Sequence, residues 1–530
     1  MAKSTAEILI DSISSQISDV FGIAGTHGLS LFEEIRKKTE KGELKYFMPR
    51  LEYGGAIMAD YYARVKENVG VFISVNGPGF TNSLTGLAEA YSEGSPLVLI
   101  SLNKEFKYRN DKQLHDMGYY DAQLQLARQV TKASFRIYSA SEAQSTMEKA
   151  FRIALEDKMG PVYVEVPVDV LEDSTDIELK NQSKIGRKLI YPTRDELKEA
   201  VDFINSCSKP ILLLGYGASR SNVLKYVEKL GIPVVVTVRG KGAIPENHPL
   251  YAGNIFEMSE VPGDCLIAIG TSFNSLEMWN WTTKLPPKIL HVDVDVSVFN
   301  NSVKTDVEIK ASAEAFLEQI SEKVKTRTWT VEKVERQFPA PENPDITHDD
   351  LIRVLDSQLS EDRIVIADAG TNQVMAMDMK VYRHNSYFNP LIFNAMGSAI
   401  PAGIGAKIAS PEREVVSIIG DAGFQACFNE LITAVEYKVN FLTVLVQDNV
   451  QHFLRMNQMM KHGKPFATDV FPIDYTKVVE GIGVKVFEVE KKDDLKRITE
   501  EAINSSYKYP TLLRVHVTPN SVPTILFRRR

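Results

Sequence analysis

Asp421 and Asp448 are the residues of this chain best placed to do chemistry. Each follows a short apolar run, Val415–Ile419 and Phe441–Val446, and a segment of helical pattern from Phe428 to Lys438 separates the runs. A strand–helix–strand unit of this kind brings both acidic groups to the carboxyl ends of neighbouring parallel strands, where open α/β sheets bind ligands. Carboxylates are hard oxygen ligands suited to Mg²⁺, which prefers them together with phosphate oxygens. Gly420, Ala422 and Gly423 are small enough for N–H groups at a helix start to approach a phosphate. The stretch therefore reads as a metal and diphosphate site. A one-residue slip would put Asn449 in the place of Asp448, and an ordinary unit whose aspartates cap turns is the bland alternative.

Gly420-Asp421-Ala422 with Gln447-Asp448-Asn449 resembles the thiamine diphosphate fingerprint, Gly-Asp-Gly followed by Asn-Asn. Glu430-Leu431-x-Thr433-Ala434 and Phe453-Leu454-Arg455-Met456 resemble its flanks in pyruvate oxidases and acetolactate synthases. By that register the metal takes Asp421, Asp448 and the carbonyl of Val450. Four more segments match in order. Pro49 to Arg64 resembles the family's glutamate segment and places Glu52 at a helix start. Asn76 to Asn82, followed by Leu87-Ala88-Glu89-Ala90-Tyr91, resembles the turn and helix beneath the pyrimidine. Asp368-Ala369-Gly370-Thr371-Asn372-Gln373 resembles a first diphosphate loop. Asn394 to Ala402 resembles the segment whose bulky side chain, here Met396, wedges the cofactor into a V shape.

The resemblance implies a thiamine diphosphate- and Mg²⁺-dependent enzyme that decarboxylates or ligates a 2-oxoacid such as pyruvate through a C2 carbanion and enamine. Glu52 would be the acid at the cofactor's aminopyrimidine, a role that needs a carboxyl held in an apolar pocket. Asn82, Gly370, Thr371, Asn372 and the carbonyl of Asn394 would contact the cofactor. Over the reacting carbon, Thr26, His27, His115 and Tyr119 are the candidates; imidazole titrates near working pH. Lys104, Lys107 and Arg109 form a basic loop that reads as solvated or as a greeting for an anion. A 2-hydroxyacyl-CoA lyase or oxalyl-CoA decarboxylase is the alternative enzyme, with Arg528, Arg529 and Arg530 near the CoA phosphates. A catalytically silent relative is the non-enzyme alternative. Gly215-Tyr216-Gly217 lacks the third glycine of a dinucleotide motif, which weakens an NAD oxidoreductase reading. FAD is a minority expectation for the central domain, because no flavin-binding segment stands out and the Ala252 to Phe256 region is short. The resemblance also implies an obligate homo-oligomer, at least a dimer, with cofactor sites at the interface.

The elements that must position these residues alternate strand and helix throughout. The expected architecture is three doubly wound parallel-sheet α/β domains: pyrimidine-binding over residues 1–171, central over 188–326 and diphosphate-binding over 345–530. Glu172 to Arg187 and the Pro-rich run Phe338 to Pro344 read as linkers. At 530 residues three or four domains fit, and 44% hydrophobic with 25% charged residues describes an ordinary globular chain. A net charge of −8 without a basic block argues against nucleic acid. No apolar stretch approaches the roughly 20 residues that span a bilayer, and Ser4-x-x-Glu7 reads as a capped helix start, so the expected location is cytoplasmic. Cys207, Cys265 and Cys427 are scattered and odd in number, which suggests a reducing compartment and no thiol-held metal.

Overall fold

Short β-branched and leucine-rich runs dominate the buried residues, and they form parallel strands covered on both faces. The computed structural model describes residues 2–327, 329–331, 344–519 and 521–523. All of the Pro-rich linker except Pro344, and the C-terminal arginines, lie outside them.

The N-terminal strands are β1 (Lys3–Ser4), β2 (Asp19–Gly22), β3 (Lys45–Phe47), β4 (Gly70–Ser74), β5 (Leu97–Asn103), β6 (Ala133–Arg136), β7 (Val162–Pro167) and β8 (Ser174–Thr175). Six of them make a parallel sheet in the order β3-β2-β4-β5-β7-β6, while β1 and β8 pair antiparallel. The central strands are β9 (Pro210–Leu214), β10 (Val234–Val236), β11 (Tyr251–Asn254), β12 (Cys265–Ile269), β13 (Lys288–Asp293) and β14 (Val307–Lys310), ordered β11-β10-β9-β12-β13-β14. The last group is β15 (Arg363–Ala367), β16 (Tyr387–Phe388), β17 (Glu414–Gly420), β18 (Leu442–Gln447), β19 (Lys485–Val489) and β20 (Thr511–His516). It is ordered β16-β15-β17-β18-β20-β19, with β17, β18, β20 and β19 parallel. Three α/β domains, each with a parallel sheet, are thus present.

By compactness the chain divides into two units: residues 1–187, 366–372 and 392–520, and residues 188–365, 373–391 and 521–530. In the first, Ser4 caps helix Thr5–Gln16 by accepting from Glu7 N at 3.1 Å. In that unit helix Glu52–Lys66 lies tightly on helix Ala399–Ala409. A Cβ on Gly405 would sit 2.1 Å from Met58 O, so only glycine permits the approach.

In the second unit the Gly215–Gly217 run serves packing. The amides of Gly215 and Gly217 donate to Ile269 O and Gly270 O, each at 2.9 Å. The cysteines differ from the sequence expectation: Cys207 and Cys265 form a disulfide, with Cα atoms 6.2 Å apart, and Cys427 is free and buried. Helix Arg194–Ser206 ends beside the start of β12, a proximity that a separation of 58 residues conceals. Among the described residues no helix is long and apolar enough to cross a membrane.

Candidate functional site

Glu52 opens helix Glu52–Lys66, whose N-cap position is Leu51, a residue with no side-chain acceptor. The acceptor comes from elsewhere in the chain. Buried Glu430 receives Arg50 N at 3.1 Å and Leu51 N at 3.0 Å, while the Thr433 hydroxyl donates to it at 3.0 Å. Burial holds the Glu430 carboxyl above its usual range, and the three donors partly offset this. Glu52 itself accepts from Asn82 Nδ2 at 3.1 Å. A Cβ on Gly79 would lie 3.4 Å from Glu52 Oε1 and 2.7 Å from Val75 Cγ2, so the glycine keeps this side of the carboxylate open.

Val75 also bounds the loop that carries His27, since a Cβ on Gly25 would meet Val75 Cγ1 at 2.3 Å. Asn76 Oδ1 lies 2.8 Å from His27 Nδ1, and the His27 and His115 rings meet edge to face with centroids 5.4 Å apart. His115 has φ 63°, and its Nδ1 is buried with no hydrogen-bond partner among the described residues. Buried Gln123 accepts from Gly77 N at 2.6 Å and donates to Leu102 O at 3.0 Å, which pins the turn under this pair. The structure therefore joins His27 and His115 into one cluster. Thr26 is exposed beside them, and the exposed Tyr119 hydroxyl instead donates to Gln125 at 2.8 Å. The basic loop does not converge on the cluster: Lys104 pairs with Asp116 at 3.0 Å, Lys107 with Glu105, and Arg109 lies over Phe106.

The residues expected to face a diphosphate stand at the ends of β15, β17 and β18. Asp421 begins helix Asp421–Cys427 directly after β17, and its carboxylate accepts from Asn449 N at 2.6 Å and Ala422 N at 2.8 Å. Asp448 follows β18 and accepts from Val450 N at 3.1 Å. Its second oxygen is 2.9 Å from His452 Nδ1, a partner that sequence reading missed although the i,i+4 spacing could have shown it. Asn449 Oδ1 is taken up by Gln447 Nε2 at 3.0 Å. The bonds that hold the turn end on Asn449 O and Thr468 O, not on the carbonyl of Val450. Burial and then the Asp448 charge push the Asp421 carboxyl up to about 7. Two hard carboxylates that repel one another at a strand end fit a divalent cation, whose charge would relieve the repulsion.

Gly370, at φ 94°, turns the chain after β15. The next residue, Thr371, has a buried hydroxyl without a partner among the described residues. Asn372 faces Gly420, where an added Cβ would be 2.8 Å from its Nδ2, and one on Gly423 would strike Asp368 Oδ2 at 2.1 Å. An unsatisfied hydroxyl among close-packed glycines suits a diphosphate oxygen. Buried Asp368 receives Gly397 N, Ser398 N and Ala399 N at 3.0, 2.8 and 3.3 Å and thereby sets the Asn394–Met396 loop. Asn394 is at φ 61°, and Met396 is 51% exposed, so its side chain is no core filler. Tyr53, next to Glu52, donates its hydroxyl to Met396 O at 3.3 Å.

Comparison with known proteins gives three family matches in chain order. Residues 3–126 match the N-terminal TPP binding domain of thiamine pyrophosphate enzymes, residues 197–320 the central domain and residues 368–515 the C-terminal TPP binding domain. A probable acetolactate synthase large subunit of Methanococcus aeolicus is 29% identical over 97% of this chain and 92% of its own. The acetolactate synthase large subunit of Lactococcus lactis is 26% identical over 91% and 88%. A putative thiamine pyrophosphate-containing protein of Bacillus subtilis is 25% identical over 95% and 90%.

Proposed function

Because the chain belongs to the thiamine pyrophosphate enzymes, we propose that it decarboxylates a 2-oxoacid such as pyruvate and ligates the acyl unit to a second carbonyl, a reading supported by relatives named as acetolactate synthases. One observation carries the reading. Glu52, held by Asn82, is adjacent to Tyr53, whose hydroxyl donates to the Met396 carbonyl, and this closeness of the glutamate and wedge segments supports the reading.

Thiamine diphosphate, when bound, supplies the electron sink for cleavage beside a carbonyl. Everything else falls to the chain. Asp421, Asp448 and the Val450 carbonyl would hold Mg²⁺. Gly370, Thr371, Asn372 and the Gly420–Gly423 turn would hold the diphosphate. Asn394 and Met396 would orient the rings, and Glu52 would hold the proton at the pyrimidine. His27 and His115 would carry protons for the substrate, with Asn76 fixing the ring of His27; Thr26 and Tyr119 flank them at the rim. Two copies of the chain are proposed to assemble, and the exposed Phe466, Phe471 and Met460 beyond the metal turn support an oligomer.

The test is calorimetric titration of thiamine diphosphate into metal-stripped protein with and without Mg²⁺, followed by pyruvate. Mg²⁺-dependent binding with release of CO₂ and formation of acetolactate is expected. Absence of binding would overturn the cofactor assignment, and binding without turnover would overturn pyruvate as substrate.

A further inference from the structure

The two domains that carry the site hold one another's functional loops by a matched device. Glu430 lies in the short helix Glu430–Glu436, after the strand–turn–helix unit of β17, and its carboxylate receives the amides of Arg50 and Leu51 immediately before Glu52. Glu89 lies in helix Pro78–Glu93, the helix that follows β4, and its Oε2 receives the amide of Ala395 at 3.2 Å, immediately before Met396. Both side chains are buried, Glu89 at 0% exposure and Glu430 at 1%. The helices that follow the clamped segments, Glu52–Lys66 and Ala399–Ala409, are the two that pack face to face. Placing a carboxyl in such an interior is costly unless its hydrogen bonds repay the desolvation. A leucine in either place would be less costly, so the fold alone does not call for an acid at these positions.

Among the described residues, no ion pair joins a cation directly to either carboxyl, although the charges of Arg50 and Arg64 act on them. Arg50 pairs with Glu436, and Arg64 closes on Asp60 and faces Glu93. Glu89 Oε1 has no hydrogen-bond partner at all among the described residues. The geometry around Glu430 is equally exclusive: a Cβ on Gly54 would stand 2.3 Å from Glu430 Oε1, so the first turn of the Glu52 helix is glycine where the carboxylate enters it. Main-chain N–H groups are thus the principal ligands of both acids.

We propose that Glu430 and Glu89 are reciprocal positioning residues, Glu430 setting the backbone that aims Glu52 and Glu89 setting the loop that presents Met396. The proposal rests on the thiamine diphosphate reading above. Neither acid need touch the cofactor. A displacement of Glu52 by a fraction of an ångström would slow proton transfer without loosening the metal and diphosphate site, which lies on other residues.

The experiment reads two quantities on the Mg²⁺-bound protein. One is thiamine diphosphate affinity by calorimetry; the other is exchange of the bound cofactor's C2 proton for deuterium, followed by NMR at saturating cofactor without substrate. Glu430→Leu, Glu89→Leu and Gly54→Ala should each slow exchange on the order of 10²-fold, the scale of a small misplacement, with affinity changed much less. Glu89→Gln, which keeps a carbonyl acceptor for Ala395 N, should restore most of the rate lost in Glu89→Leu. If Glu430→Leu fails to fold, Gly54→Ala still crowds the clamp with the acid in place. Exchange at the wild-type rate in Gly54→Ala and Glu89→Leu would overturn the proposal. Wild-type protein that binds no thiamine diphosphate would instead overturn the underlying function, so the two failures are distinct.

Discussion

At the scale of single residues, the site is a set of carboxyl groups whose surroundings divide their roles. Among the described residues Glu52 is reached by one amide donor, Asn82, and it is open on the Gly79 side, which suits the proton exchange proposed for it. Glu52→Gln should therefore lower turnover about 10²-fold or more while leaving cofactor affinity nearly intact. Steady-state kinetics beside calorimetry would show this, and wild-type turnover would remove Glu52 from its role. Asp421 is a different kind of acid, pushed up to about 7 by burial and by the nearby Asp448 charge. Asp421→Ala should abolish Mg²⁺-dependent binding of thiamine diphosphate, and unchanged affinity would break the metal assignment. His452 completes this neighbourhood. Its contact with Asp448 gives the second carboxylate of this turn a local partner.

At the scale of elements, helix Pro78–Glu93 carries the clearest pH signature. Burial first, then the charges of Glu93 and Asp60, push the Glu89 carboxyl up to about 8, against the opposing effects of Arg64 and the Ala395 amide; Tyr53 and Tyr61 also face it. An unfolded chain would release this proton near the ordinary glutamate value, so the folded state binds it more tightly. Stability from this group is present below that ordinary value and is lost as pH rises through about 8. The thermal midpoint of wild-type protein should thus fall more steeply than that of Glu89→Gln between mildly acidic and mildly alkaline pH. Parallel curves from scanning calorimetry would contradict this. The same helix shows what was legible beforehand: its strand, turn and glycine pattern announced the element, but nothing in a linear reading of Glu89 says which amide it meets.

At the scale of the whole molecule, the question is how many chains make a site. Mixing Glu52→Gln protein with Asp421→Ala protein should restore activity at roughly a quarter of the sites if each site draws on two chains. No recovery would place the site within one chain, a geometry that the Tyr53–Met396 bond would support. Separately, the sequence by itself determined the alternation of strand and helix, the three parallel-sheet domains and the family, because apolar periodicity and glycine-bounded motifs are local properties of the chain. It also marked Glu52, Asp421, Asp448 and Met396 as residues of interest. Only the tertiary structure decided that Cys207 meets Cys265, that Tyr119 turns to Gln125, and that Glu430 and His452 support Glu52 and Asp448. Partners of this kind are joined by packing across sheets and domains, and separation along the chain carries no record of which buried donor meets which acceptor.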